Sequence, residues 1–330
     1  MVTQTQLISL FRSFAQGDDG RFRSLAMDLA ADAGKRGHHR LADEIKTLMR
    51  TAGEGRGPAS RSTDPIPVIK PRGELAGLVS ANFPLTRLSD MVLEDGLRER
   101  LRRIVEEQRH RETLAQHSLK PRRKFLLVGP PGTGKTMTAS ALAGELSGPL
   151  YTILLDGVIT KFMGESAAKL RLVFDAMQNG RGVYFFDEFD ALASKRLTGN
   201  DVGEARRMLN SMLQFLDEDG SDALILAATN HPELLDPAVF RRFDGTIEYH
   251  LPSGGDARRV FEKALFAFDL GAVNWTVVEG ESAGLSQADM VRAAEDAART
   301  AVLENDALFT TAIVVAALGD RRHYPTYNTK

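Results

Sequence analysis

Apolar positions in the first fifty residues fall into three helical stripes. Leu7, Leu10, Phe11 and Phe14 share one face, Phe22, Leu25, Ala26, Leu29 and Ala33 form a second, and Leu41, Ile45 and Leu48 a third. That is the i, i+3, i+4 spacing of amphipathic helices. Glycines at 17, 20, 34 and 37 separate the stripes, so a small helical bundle is predicted over 1–50, either a plain packing unit or a module for a substrate or partner. Residues 51–84 open on TAGEGRGPASRSTDPIPVIKPRG, a linker composition. Another helix starts near Glu94, with Leu97, Leu101, Ile104 and Val105 on its apolar side. Short continuous apolar runs then appear at 125–128, 151–155, 182–186, 223–228 and 246–249, and helical stripes at 137–146, 167–177 and 202–216 lie between them. Such strands are buried on both faces, which predicts an α/β domain over 85–251 built on a parallel five-stranded sheet. From 252 to 320 only helical stripes remain, including Val260, Ala264 and Leu265, then Ala288, Val291, Ala294 and Ala298. A small helical domain is expected there, followed by a tail at 321–330.

Composition removes several alternatives. A hydrophobic fraction of 43% with 26% charged residues is that of a folded globular chain. The net charge of -2 offers no bulk attraction to nucleic acid or a membrane surface. One stretch departs from this balance: residues 98–124 carry ten Lys or Arg against four Asp or Glu. A solvated or subunit-facing helix explains the excess, and nucleic acid is disfavoured because no exposed aromatics interleave with the charges. The chain has no Cys, which excludes disulfides, thiolate metal sites and a cysteine nucleophile. Cysteine usage is compatible with a cytoplasmic location. No apolar run approaches the roughly 20 residues that span a bilayer.

The chemistry gathers at strand ends. GPPGTGKT at 129–136 follows the run FLLV and precedes a helical stripe, the setting required of a phosphate-binding loop. Gly129, Gly132 and Gly134 allow a tight turn whose N–H groups face phosphate oxygens, and Pro130, Pro131, Thr133 and Met137 complete the candidate nucleotide contact. Lys135 is expected to reach the β and γ phosphates, and the Thr136 hydroxyl to bind Mg2+. Asp187 and Glu188 end the apolar run VYFF, on the same side of a parallel sheet as the loop. Asp187 is placed to hold hydrated magnesium and Glu188 to deprotonate the attacking water, so ATP hydrolysis is inferred and not binding alone. Asn230 ends the run LILAAT; its amide suits it to hold the lytic water or the γ phosphate.

Taken together, GPPGTGKT, KFMGES at 161–166, FFDEFD at 185–190, AATN at 227–230, DPAVFRRFD at 236–244 and GLSQADM at 284–290 resemble the AAA branch of the AAA+ ATPases, which includes katanin, spastin and the FtsH proteases. The resemblance spans about 88–318. It implies a P-loop sheet domain, a helical lid domain and a homo-oligomeric ring, a hexamer, with ATP held between subunits. Arg241 and Arg242 would then reach the γ phosphate of the neighbouring subunit. They are adjacent here, whereas many relatives separate them by two residues. Lys161, Phe162, Met163 and Gly164 would form a pore loop, Phe162 gripping a threaded polypeptide, with a second polar loop near 195–204. Gly284 and Ala288 would lie by the nucleotide where the lid closes, with residues 89–92 completing an adenine pocket. Ala288 stands where other branches use an arginine.

The reading that results is an ATP-dependent protein-remodelling ATPase acting on a protein or peptide substrate. No HExxH is present, so any degradation needs a separate protease. Two alternatives stand beside it: a nucleotide-driven scaffold or switch controlling assembly of a partner complex, and a nucleic-acid-dependent motor.

Overall fold

The computed structural model describes residues 73–158, 165–192, 201–304 and 307–323. The expected bundle at 1–50, the pore-loop residues Lys161, Phe162, Met163 and Gly164, most of the second loop and the tail from 324 lie outside the described residues.

Strand β1 is Val79–Asn82, followed by helices α1 (Asp95–Arg109) and α2 (Arg111–Gln116). Then come β2 (Lys124–Val128), α3 (Lys135–Glu145), β3 (Leu150–Ile153), the single turn α4 (Leu155–Val158), α5 (Glu165–Asn179), β4 (Val183–Phe186), α6 (Asp201–Glu218) and β5 (Leu224–Thr229). After the short α7 (Pro237–Phe240) and β6 (Gly245–Glu248), four helices follow: α8 (Gly254–Ala264), α9 (Trp275–Glu281), α10 (Gln287–Glu304) and α11 (Thr311–His323).

The sheet order is β1-β3-β4-β5-β2-β6. Five strands are parallel, at the five places the apolar runs mark. The expected count of five is nevertheless too low, because β1 adds a sixth strand antiparallel to β3. It lies inside the segment assigned to the linker. The pattern gave no warning, since of its four residues only Val79 is buried, and an edge strand covered on one side needs no continuous apolar run.

Alternation along the strands divides the core. Leu126, Tyr151, Ile153, Tyr184, Phe186 and Ile225 face α5 and α6, whereas Phe125, Leu127, Leu150, Phe185 and Leu226 face α1 and α3. Helices α8 to α11 enclose a third apolar cluster around Phe261, Met290, Ala294 and Leu318.

The basic run serves largely as internal fastening. Arg98 pairs with Asp95 at 3.8 Å, Arg109 with Glu145 at 3.1 Å and Arg111 with Asp222 at 3.0 Å. Glu107 takes both Arg103 at 3.5 Å and Arg122 at 2.5 Å. Arg123 is ion-paired to Asp219, whose side chain is fully buried. The same carboxylate accepts Gln178 Nε2 and the Ser221 amide, each at 3.1 Å. The acidic turn 217–220 thus holds together the start of β2, the end of α5 and the approach to β5.

Burial would raise the Asp219 carboxyl, but hydrogen bonds from Arg123 and Ser221 outweigh it and hold the group below the ordinary carboxylate range. A depressed carboxyl stabilises fully above its unfolded value of about 4 and loses that contribution as pH falls through its folded value. Asp219→Asn is therefore expected to lower stability by about 3 kcal/mol at neutral pH, because it strands Arg123. In urea titrations the gap between variant and parent should shrink below about pH 4. Coincident curves at pH 7 would show that the fastening does not depend on this pair.

Candidate functional site

Because β4, β5 and β2 are neighbours and parallel, their C-terminal ends deliver Asp187, Asn230 and the phosphate loop to one edge of the sheet. The loop runs from Gly129 to Gly134 and continues directly into α3. Gly129 has φ 150°, and a Cβ there would collide with the backbone carbonyl of Tyr249. Gly132 has φ 75°, and its Cβ would collide with the Ser286 hydroxyl. The glycines thus answer to the chain's own crowding as well as to any bound phosphate. Thr133 is buried and donates through Oγ1 to the Pro130 carbonyl at 2.8 Å, while Pro131 and Met137 are exposed.

Lys135 is buried, its Nζ donating to the Gly129 and Pro130 carbonyls at 2.6 and 2.7 Å. Burial pushes its ammonium below the ordinary lysine range, against the raising effect of Asp187 and Asp190. Its donors are aimed at the loop, where phosphate oxygens can replace the carbonyls. Thr136 Oγ1 donates to Asp187 Oδ2 at 2.9 Å. That bond joins the two expected magnesium residues, and a hydroxyl and a carboxylate are hard oxygen donors suited to Mg2+ with phosphate oxygens and water. Asp187 Oδ1 in turn accepts the Glu188 amide at 3.0 Å. Glu188 is exposed and has φ 50°, a left-handed backbone costly for a residue with a Cβ.

Asn230 is tied to the β4 end by a residue to which the sequence assigned no role. Asp190 Oδ1 accepts Thr229 Oγ1 at 2.9 Å and the Asn230 amide at 3.4 Å. The signal available was the last acid of FFDEFD, three residues after Asp187. Ser286 was missed too: its Oγ donates to Asp289 Oδ2 at 2.6 Å beside Gly132.

The segment 284–290 does reach the phosphate loop, since the Ala288 amide donates to the Gly132 carbonyl at 3.1 Å. Gly284, which opens the segment, has φ 82° and open space where a Cβ would sit. Residues 89–92 lie against the same region: Gln287 Nε2 donates to the Val92 carbonyl at 2.8 Å, and Met91 packs beside Gly134. Arg241 and Arg242 follow α7, and among the described residues neither bonds to the phosphate loop. Arg242 is ion-paired with Asp217 at 2.7 Å, whereas Arg241 is exposed and has no ion-pair partner among the described residues.

The chain is similar to known ATPases. The family described as "ATPase family associated with various cellular activities (AAA)" matches residues 125–251. An uncharacterized AAA family ATPase, y4kL of Sinorhizobium fredii, is 35% identical over 273 residues, covering 81% of this chain and 81% of that protein. The ATP-dependent zinc metalloprotease FtsH of Helicobacter pylori (strain ATCC 700392 / 26695) is 33% identical over 243 residues, which are 71% of this chain but 38% of FtsH. The proteasome-activating nucleotidase of Aeropyrum pernix is 40% identical over 169 residues, 49% of this chain and 41% of the nucleotidase. The chain thus spans well under half the length of the last two.

The Asp190 bridge makes that residue a positioning group for Asn230. Asp190→Ala is expected to lower the rate of ATP hydrolysis at saturating ATP about 10- to 100-fold, with KM little changed. Asp190→Asn, which keeps an acceptor oxygen, should recover much of the rate. A rise in KM with the maximal rate intact would place Asp190 in substrate binding instead.

Proposed function

Because this chain belongs to the AAA family of ATPases, we propose that it couples ATP hydrolysis to the remodelling or unfolding of protein substrates, as a homo-oligomeric ring. The observation that carries the reading is the 2.9 Å bond from Thr136 to Asp187. It sets a phosphate loop, a metal-holding pair and an adjacent carboxylate around one point.

In this reading Lys135 trades its two loop carbonyls for β and γ phosphate oxygens. Bound Mg2+, held by Thr136 and Asp187, supplies neutralisation of charge on the triphosphate. Glu188 orients the attacking water and takes its proton. Asn230, held through its backbone by Asp190, turns its amide toward the same water or the γ phosphate. Segment 284–290, in contact with Gly132, closes helices α8 to α11 over the nucleotide as a lid.

The expected arginine pair divides its work. Arg241, exposed and unpaired among the described residues, is the group to neutralise charge in the neighbouring subunit's pocket. Arg242 is engaged within its own chain by Asp217. A hexamer places the two halves of each site on different protomers, and Phe162 on the pore loop grips the polypeptide by non-directional contact. Identity to FtsH and to the proteasome-activating nucleotidase supports a protein substrate and, by analogy with the latter, a separate protease as partner. The nucleic-acid alternative loses its main support, since most of the basic run is committed to internal ion pairs. No helix among the described residues is long and apolar enough to cross a membrane.

Lys135→Ala is expected to abolish tight ATP binding, whereas Glu188→Gln should bind ATP and hydrolyse it about 100-fold or more slowly. The shared site has its own test. Mixing the Lys135→Ala chain with an Arg241→Ala, Arg242→Ala chain should restore hydrolysis that neither shows alone, because one mixed interface has both halves intact. No recovery, with assembly confirmed by light scattering, would refute action in trans. Phe162→Ala should leave ATPase activity intact and remove unfolding of a tagged model substrate; undiminished unfolding would favour the switch alternative.

A further inference from the structure

The sheet ends at β6, whose outer edge pairs with no strand among the described residues. Beside it a cleft of about 410 Å³ opens between α1 and the start of β2. Its lining is of two kinds. Ile104 and Phe125 are buried core residues that give it an apolar wall. Arg100, Arg103 and Arg122 stand around it with a single carboxylate, Glu107.

The charges do not cancel. Hydrogen bonds from Arg122 hold the Glu107 carboxyl below its ordinary range, so it is ionised and shared between Arg122 and Arg103. Arg100 is exposed and has no ion-pair partner among the described residues. The cleft thus carries uncompensated guanidinium charge at Arg100, one turn along α1 from Arg103. An open strand edge offers unpaired N–H and C=O groups, which recruit an extended chain. Base stacking, by contrast, requires an accessible ring, and Phe125 is only 3% exposed.

We propose that this cleft is a docking site for an acidic peptide segment of a partner protein, which adds as a strand along β6. Its alternate carboxylates turn to the α1 side of the sheet and meet Arg100 and Arg103. A strand alternates its side chains between faces, so in a sequence of alternating acidic and branched apolar residues every carboxylate can turn toward α1, while the branched residues favour the extended chain. The nucleotide-site residues described above do not line this cleft, so the inference stands apart from the proposed ATPase cycle.

A fluorescein-labelled hexapeptide, Glu-Val-Glu-Val-Glu-Val, is the probe, titrated with the full chain and read by anisotropy. Saturable binding is expected, weakened about tenfold or more by Arg100→Glu and less by Arg100→Gln, while basal ATPase activity stays unchanged in both. The same peptide with alternate backbone amides N-methylated should also lose about tenfold or more, because it can no longer donate to the strand edge. Equal binding of the N-methylated peptide, or of the Arg100→Glu chain, would overturn the proposal. So would an oligothymidylate of matching charge that binds as tightly as the peptide, which would make the cleft a general polyanion site.

Discussion

The hydrogen bond from Thr136 to Asp187 joins the first turn of α3 to the end of β4, and the site is organised around it. Thr136 and Asp187 are 51 residues apart in sequence, and β2, the strand that leads into α3, is separated from β4 in the sheet by β5. Only the crossing of the chain over the sheet, which sets β4, β5 and β2 side by side, brings their ends within reach. The strands between are buried on both faces and can hold no functional charge. Polar chemistry is confined to the edge where those strands stop, and the geometry of that edge is set by the register of the core.

How much of this was readable in the sequence follows from the same division. A strand buried on both faces writes itself as a continuous apolar run, so β2 to β5 and the loop after β2 were legible, while β6, an edge strand with Ile247 as its one buried residue, showed only as the short run 246–249. Strand β1 was not, because an edge strand with one buried residue resembles a linker. Asp187 and Glu188 were visible as carboxylates closing an apolar run. Asp190 was visible as a residue but not as a bridge, since its partner Thr229 comes from a strand 39 residues away. The fastening at 217–220 was hidden for a related reason: a buried acid has the same letter as a solvated one, and only the position of Arg123 distinguishes them.

The two arginines after α7 show contact information that spacing could not supply. Phe243, directly after Arg242, packs edge-on against Phe189, directly after Glu188, with ring centroids 6.1 Å apart. Asp244 accepts the backbone amides of Arg123 and Lys124 at 2.8 and 3.0 Å. The segment that bears Arg241 and Arg242 is therefore seated on the residue that follows Glu188 and on the base of the strand that leads into the glycine-rich loop. A rearrangement of either would be felt at the arginines through packed side chains.

Glu188 has a left-handed backbone, a conformation that glycine or asparagine would adopt with less strain. Neither could accept a proton from water, so under the proposed mechanism the position holds an awkward residue for the sake of its carboxylate. About 1 kcal/mol or more of folding free energy is given up there. Efforts to make this protein more heat-resistant by relaxing unfavourable backbone would find one of their best opportunities at Glu188, and under the proposed mechanism taking it would leave a sturdier protein that no longer turns over.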